Sequence, residues 1–397
     1  MTNSETLVSP RIRSIDILRG LVMMIMALDH VRDFFHIAAI TGNPTDLQTT
    51  TPQLFFTRWI THFCAPTFVF LSGASAFLSG RKKTQKDLSA FLIKRGLWLV
   101  LVEMLIITLG LTFNPLYNVL IWQVIWAIGW SMVILGLLVR LPIIYIAIIG
   151  FAIVVGHNIT DYLTLPKDGI GSVLWTVLVT SRGAFYPIGQ THVIGDFYAI
   201  LPWTGLMLVG YSFGSYFSMI QDPELRKKRL LIIGFIVVLT FVILRFINKY
   251  GDPIPWAHQK NAIFTLLSFL NVTKYPCSLM YCCMTIGPAI LFLALIENVQ
   301  NAFTKITTVY GRVPFFYYVL HFYIIHLLLV VIFFATGYGV KDIIPQNSPF
   351  LFRPNDFGFP LWVVYLIWLS VVALLYRPCK WFSKYKQTHS QWWLSYL

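Results

Sequence analysis

The chain has 397 residues, of which 57% are hydrophobic, 16% aromatic and only 12% charged, where an ordinary soluble chain is roughly half apolar and about a quarter charged. Its apolar residues run in blocks of about 20, the length a helix needs to cross a hydrocarbon core of about 30 Å. A soluble enzyme, a nucleic-acid binder and a disordered protein are excluded, and the net charge of +14 reads as a membrane-topology signal instead of a nucleic-acid footprint.

The expected fold is all-α, a polytopic integral membrane bundle of about ten transmembrane helices forming one domain over 15–380, between a polar tail 1–14 and a basic, aromatic tail 381–397. In chain order the apolar runs predict helices at 15–37, 55–79, 96–113, 118–139, 142–157, 197–219, 230–248, 276–297, 313–336 and 360–380. The first run carries too many charges to be a cleavable signal peptide, so it reads as a retained helix. Gly171–Thr180 is apolar but too short to span, which suggests a re-entrant or interfacial piece of the 158–196 loop.

Lys and Arg concentrate in every second loop: Arg11 and Arg13, then Arg81–Lys83 with Lys94 and Arg95, Arg140, Arg226–Arg229, Lys305 with Arg312, and Arg377–Lys386. The long intervening loops 158–196, 249–275 and 337–359 are poor in both. Because cytoplasmic loops carry the excess, both termini are expected on the cytoplasmic side of the inner membrane, with Trp392, Trp393 and Tyr396 as interfacial anchors. The five cysteines lie mostly in apolar runs and read as small hydrophobes.

Ionisable groups inside a spanning helix are costly unless paired or solvated, so each is a candidate for function. The first helix has the densest set. Arg19 and His30, eleven residues apart, fall on nearly one face and about 16 Å apart along the axis. Asp29, Arg32, Asp33 and His36 surround His30 at helical neighbour spacings, so Asp29 can meet Arg32 and Asp33 can meet His30. A carboxylate beside a histidine fixes its tautomer and raises its basicity. Arg58 and His62 enter at similar depth on the second helix, Lys274 precedes the eighth, and Arg312, His321 and His326 belong to the ninth. Bland readings stand beside these: an Asp16–Arg19 entrance pair, a solvated helix end at 29–33, structural histidines at 62, 321 and 326, and a topology anchor at Arg312. Glu103 is a buried carboxylate whose partner the sequence does not identify. No metal site is expected, since neither HExxH nor CxxC occurs, and GxSxG and GxxxxGK[ST] are absent too.

The stretch Arg11-Ile-Arg-Ser-Ile-Asp16-Ile-Leu-Arg19-Gly20, then Asp29-His30, then Thr61-His62-Phe-Cys-Ala-Pro66 through Gly73 resembles bacterial membrane proteins grouped with the heparan-alpha-glucosaminide N-acetyltransferase catalytic domain. Pro202-Trp203, Lys274-Tyr275-Pro276 and Gly311-Arg312-Val313-Pro314 resemble later blocks of that group. The Arg19 to His30 spacing is also similar to the arginine–histidine motif of wider transmembrane acyltransferases. The resemblance implies transfer of an acyl group, acetyl above all, from cytoplasmic acyl-CoA to a hydroxyl or amine of an envelope glycan or glycolipid outside the membrane. His30 is the expected base, oriented by Asp29 or Asp33. His36, nearest to the later histidine of the animal members, and His62 are alternatives. Arg19 and Arg312 are expected to hold the CoA phosphates, and Arg32, Arg58, His62 and Lys274 to line the acceptor side. The partners expected are thus the bilayer, acyl-CoA and the acceptor, without nucleic acid; a homo-oligomer is left open. The alternative is a proton-coupled transporter using the Asp/His cluster as a relay.

Overall fold

A computed structural model describes residues 12–163, 169–181, 183–220, 222–343 and 349–396; Met1–Pro10 and Arg11 fall outside the described residues. The chain opens with α1 (Arg13–Phe35), followed by α2 (Pro52–Thr61) and α3 (Cys64–Gly80). These last two make one 29-residue rod, interrupted only at His62 and Phe63. Next come α4 (Gln85–Val102) and α5 (Thr108–Thr112), joined through a π-helical turn at Glu103–Ile107. β1 (Val119–Trp122), α6 (Val124–Leu138), α7 (Ile143–Gly156) and α8 (Ile170–Trp175) follow, then β2 (Ala184–Ile188) and β3 (His192–Asp196). The remainder is α9 (Ile200–Met219), α10 (Pro223–Ile247), α11 (Ala262–Leu270), α12 (Leu279–Leu295), α13 (Ala302–Arg312), α14 (Pro314–Ala335) and α15 (Leu361–Thr388).

Among the described residues, five helical stretches are long and apolar enough to cross a membrane: Pro52–Gly80, Ile143–Tyr162, Pro223–Ile247, Pro314–Ala335 and Leu361–Thr388. On their outward faces large apolar side chains such as Ile144, Phe151, Phe235, Leu327 and Trp362 are exposed, as a lipid-facing surface requires. α1 has the length but not the composition, because Asp16, Arg19, Asp29, Arg32 and Asp33 lie along it. It is an interior helix, packed against α2, α3, α12, α13, α14 and α15. Its crossing with α13 is made at Gly20 and Gly311. A Cβ on Gly20 would run into the Thr307 carbonyl, and one on Gly311 into the Asp16 carbonyl. Backbone thus meets backbone there, which only a residue without a side chain permits.

The chain is mostly helical, as expected, but a small sheet interrupts the bundle. β1, β3 and β2 form a three-stranded sheet in that order, β1 parallel and β2 antiparallel to β3. β1 occupies the run Val-Leu-Ile-Trp where a helix was expected to begin at 118. A short apolar run rich in β-branched and aromatic residues does not distinguish the two structures by periodicity. The expected loop 158–196 supplies the other two strands, and the apolar Gly171–Thr180 piece is α8 continuing into a π-helical turn at Thr176–Thr180. α11 lies inside the expected 249–275 loop. α13 was invisible to hydropathy because its sequence AFTKITTVYGR is half polar; its start is marked instead by a reciprocal cap between Asn301 and Thr304. The helix expected from 96 starts at Gln85, and the last helix passes 380 to reach Thr388.

Candidate active site

A cavity of about 270 Å³ opens beside the second half of α1. Asp29, His30, Arg32 and Asp33 line it from α1, Arg58 and Thr61 from α2, and Lys274 and Tyr275 from the segment before α12. The unforeseen sheet closes one wall with Ile121 and Phe185, continued by Phe197 and Tyr198 just after β3.

Its charges are interlocked. Arg32 donates from Nη2 to Asp29 Oδ1 at 3.0 Å and to Asp33 Oδ1 at 2.6 Å, and Arg58 Nη1 donates to Asp29 Oδ2. One carboxylate thereby joins two guanidinium groups from different helices. The side chains of Arg32, Asp29 and Arg58 are only 6%, 12% and 15% exposed, whereas that of Asp33 is 35% exposed. Removing several charges from water costs several kcal/mol per ion, so such a cluster persists only with its hydrogen bonds complete. Lys274 makes no ion pair among the described residues; its ammonium lies 5.0 Å from the Tyr275 ring centroid and 5.7 Å from that of Tyr198. Three cations therefore face two carboxylates around this cavity.

His30 is not held by either carboxylate, contrary to the expected Asp33–His30 or Asp29–His30 pairing. Both carboxylates are committed to arginine. The imidazole instead packs against His321, ring centroids 5.2 Å apart, and Phe322 at 4.5 Å. His321 Nδ1 contacts the Tyr318 carbonyl, which assigns the proton to that nitrogen and leaves Nε2, without a partner among the described residues, as an acceptor.

The other expected residues separate from this group to differing degrees. His36 caps the end of α1 outside the cavity. Its Nδ1 accepts from Ala38 N at 3.3 Å, its carbonyl accepts from Arg353 at 2.7 Å, and it lines a separate 90 Å³ pocket shared with Arg32. His62 is buried behind the wall, its carbonyl accepting from the Tyr281 hydroxyl at 2.8 Å. It does not line the cavity. His326 ties α14 to the Leu111 and Leu351 carbonyls and stacks on Phe113 at 3.9 Å, a structural position.

A second, narrower cavity of about 90 Å³ continues toward the start of α1, lined by Arg19, Met23, Ser72 and Arg95 among others. Phe68, Val124 and Tyr318 line both cavities, so the two adjoin. Arg19 donates to Asp16 Oδ1 and the Gly311 carbonyl, each at 3.2 Å, and to Ser75 Oγ at 2.7 Å. The α1–α13 glycine crossing fixes this guanidinium. Arg312, expected beside it, is exposed and lines neither cavity. Arg95 supplies the second cation. In sequence it sits in the 81–95 basic run and reads as a topology signal; only the inward turn of α4 distinguishes it. Glu103 lies behind the shared wall. Its Oε1 accepts from Gln123 N at 3.0 Å, and Oε2 has no partner among the described residues.

The arrangement offers cations beside one cavity, an imidazole beside the other and three side chains common to both walls. It can hold an anionic group at Arg19 and Arg95 while a connected reactive atom reaches His30. A family model described as heparan-alpha-glucosaminide N-acetyltransferase, catalytic, matches residues 11–246, from the start of α1 almost to the end of α10 and more than half of the chain. No curated protein matches it.

Proposed function

The chain belongs to the heparan-alpha-glucosaminide N-acetyltransferase catalytic family, which implies a membrane acyltransferase; from that premise we propose that it moves an acyl group, acetyl first, from cytoplasmic acyl-CoA to a hydroxyl or amine of a sugar-containing acceptor on the outer side of the inner membrane. The observation that carries this reading is the pair of adjoining cavities along α1, with Arg19 and Arg95 at one end and His30 with the Arg/Asp/Lys cluster at the other. A CoA diphosphate suits the two cations as charge-assisted hydrogen-bond partners. The distance of about 16 Å from Arg19 to His30 along the helix is close to the reach from that diphosphate to the thioester.

His30 would take the proton from the acceptor as it attacks, a general-base role typically worth about 10²–10⁴-fold. His321, whose ring packs on that of His30, would orient the imidazole. Arg32, Arg58 and Lys274 would line the acceptor side, with Asp29 holding the two guanidinium groups apart from bulk water. His36 and His62 would not meet the reacting atoms, because neither lines this space.

The test is transfer from radiolabelled acetyl-CoA by the purified protein in proteoliposomes, with amino sugars and glycolipids as acceptors on the opposite side. Label in a glycan product supports the reading. Absence of label from every acceptor, with CoA neither bound nor cleaved, contradicts it.

A further inference from the structure

Tyr318 lies on α14 beyond the segment that the family model matches. Its side chain is 3% exposed, and its hydroxyl has no hydrogen-bond partner among the described residues. A buried hydroxyl left unsatisfied costs about 1–3 kcal/mol, so the fold carries a penalty at this position that packing alone does not relieve. Tyr318 is also one of three residues lining both cavities, and its companions Phe68 and Val124 have no polar side-chain atom to offer. Among the described residues that line both spaces, this hydroxyl is therefore the one side-chain donor.

Its neighbours strengthen the point. The backbone carbonyl of Tyr318 holds His321 Nδ1, and His321 packs on His30. The phenol and the imidazole are thus held by the same turn of α14. The guanidinium groups nearby are spent on Asp29 and Asp33, and Lys274 stands over Tyr198 and Tyr275.

We propose that the Tyr318 hydroxyl is a catalytic hydrogen-bond donor to the acyl carbonyl oxygen of the thioester, an oxyanion-stabilising group at the junction of donor and acceptor spaces. This rests on the acyl-transfer reading above. The acceptor nitrogen or oxygen bonds to the acyl carbon while His30 removes its proton. The carbonyl electron pair moves onto oxygen, where Tyr318 donates to it. The carbonyl then re-forms, the carbon–sulfur bond breaks, and the departing thiolate takes the proton from His30 to leave as CoA. The hydroxyl stays protonated throughout, and its bond strengthens only as charge develops on oxygen.

The experiment compares Tyr318→Phe with Tyr317→Phe. Tyr317 is an adjacent tyrosine, also buried with a hydroxyl that has no partner among the described residues, and it lines neither cavity. Steady-state transfer of acetyl label and CoA protection against thermal unfolding are measured on both. The expected result for Tyr318→Phe is a kcat lower by about 10²-fold, with KM for acetyl-CoA and CoA protection unchanged and thermal stability equal or higher. Tyr317→Phe keeps wild-type kcat. Wild-type kcat in Tyr318→Phe overturns the inference, as does a loss of thermal stability, which would mean that the hydroxyl serves the fold. If wild type itself transfers no label, the acyl-transfer reading fails; if wild type is active and Tyr318→Phe equally so, only this inference fails.

Discussion

Asp29 on α1 is gripped by two arginines at once, Arg32 of its own helix and Arg58 of α2. This bridge fixes the angle between α1 and the α2–α3 rod at the cavity, and it takes from His30 the carboxylate that a helical neighbour would otherwise provide. Removing Asp29 leaves two guanidinium groups almost out of water and short of a counter-charge. Asp29→Asn should therefore destabilise by several kcal/mol, of order 3–5 as for other broken buried pairs. Thermal unfolding in detergent measures this. The double variant Asp29→Leu/Arg58→Met should recover part of the loss, since it removes a charge of each sign.

With both carboxylates committed to arginine, His321 is left as the group that can hold His30. His321→Ala removes the ring that packs on His30. Its kcat for acetyl transfer should fall by about tenfold or more, a part of the full general-base contribution, while CoA protection stays at the wild-type level. A loss confined to CoA binding would contradict this positioning role.

The cations that line the narrower cavity are Arg19 and Arg95, with Arg312 outside it, and the proposed CoA role is tested on all three. A ligand that binds only the folded state stabilises it in proportion to the logarithm of its concentration over its dissociation constant. Arg19→Ala and Arg95→Ala should each reduce the shift in unfolding temperature produced by CoA. Arg312→Ala, altering an exposed side chain off both cavities, should leave the shift unchanged.

Asp196, at the end of β3, gives a pH dependence outside the spanning helices. Burial pushes its carboxyl up to about 6, opposed by the hydrogen bond it accepts from the Tyr198 N–H. A carboxyl whose folded value is raised favours the folded state most when protonated, so its contribution is complete below about pH 4 and is lost as pH rises through about 6. Integrated over that window it amounts to roughly 2–3 kcal/mol. Asp196→Asn should abolish this part of the pH dependence and raise the unfolding temperature at pH 7.5 more than at pH 4.5.

Much of this site can be read from sequence because misplaced charge stands out in a membrane chain. Asp29, His30, Arg32 and Asp33 are conspicuous in an apolar run, and their helical spacing foretells the Asp29–Arg32 pair. What spacing along one helix does not contain is the competition from other helices. Arg58 lies 29 residues from Asp29, and His321 is farther still, so the partner of His30 emerges only when α14 is packed beside α1. Arg95 was masked by its basic neighbours, whose excess has a sufficient explanation in topology. Tyr318 had no distinguishing signal among 19 tyrosines, since what sets it apart is a hydroxyl without a partner among the described residues, on a wall common to both cavities. The sheet was hidden because Val119–Trp122 is short and uniformly apolar, and α13 because its glycine-mediated contact with α1 needs little hydrophobic surface.

The most direct measurement is a single-turnover assay in proteoliposomes loaded with labelled acetyl-CoA on the Arg19 side and supplied with acceptor on the His30 side, comparing wild type with His30→Gln. Wild type should pass label to the acceptor. His30→Gln should bind CoA with the same thermal protection and transfer label at least about 10²-fold more slowly. Equal transfer by the two proteins would contradict the assignment of His30 as the base.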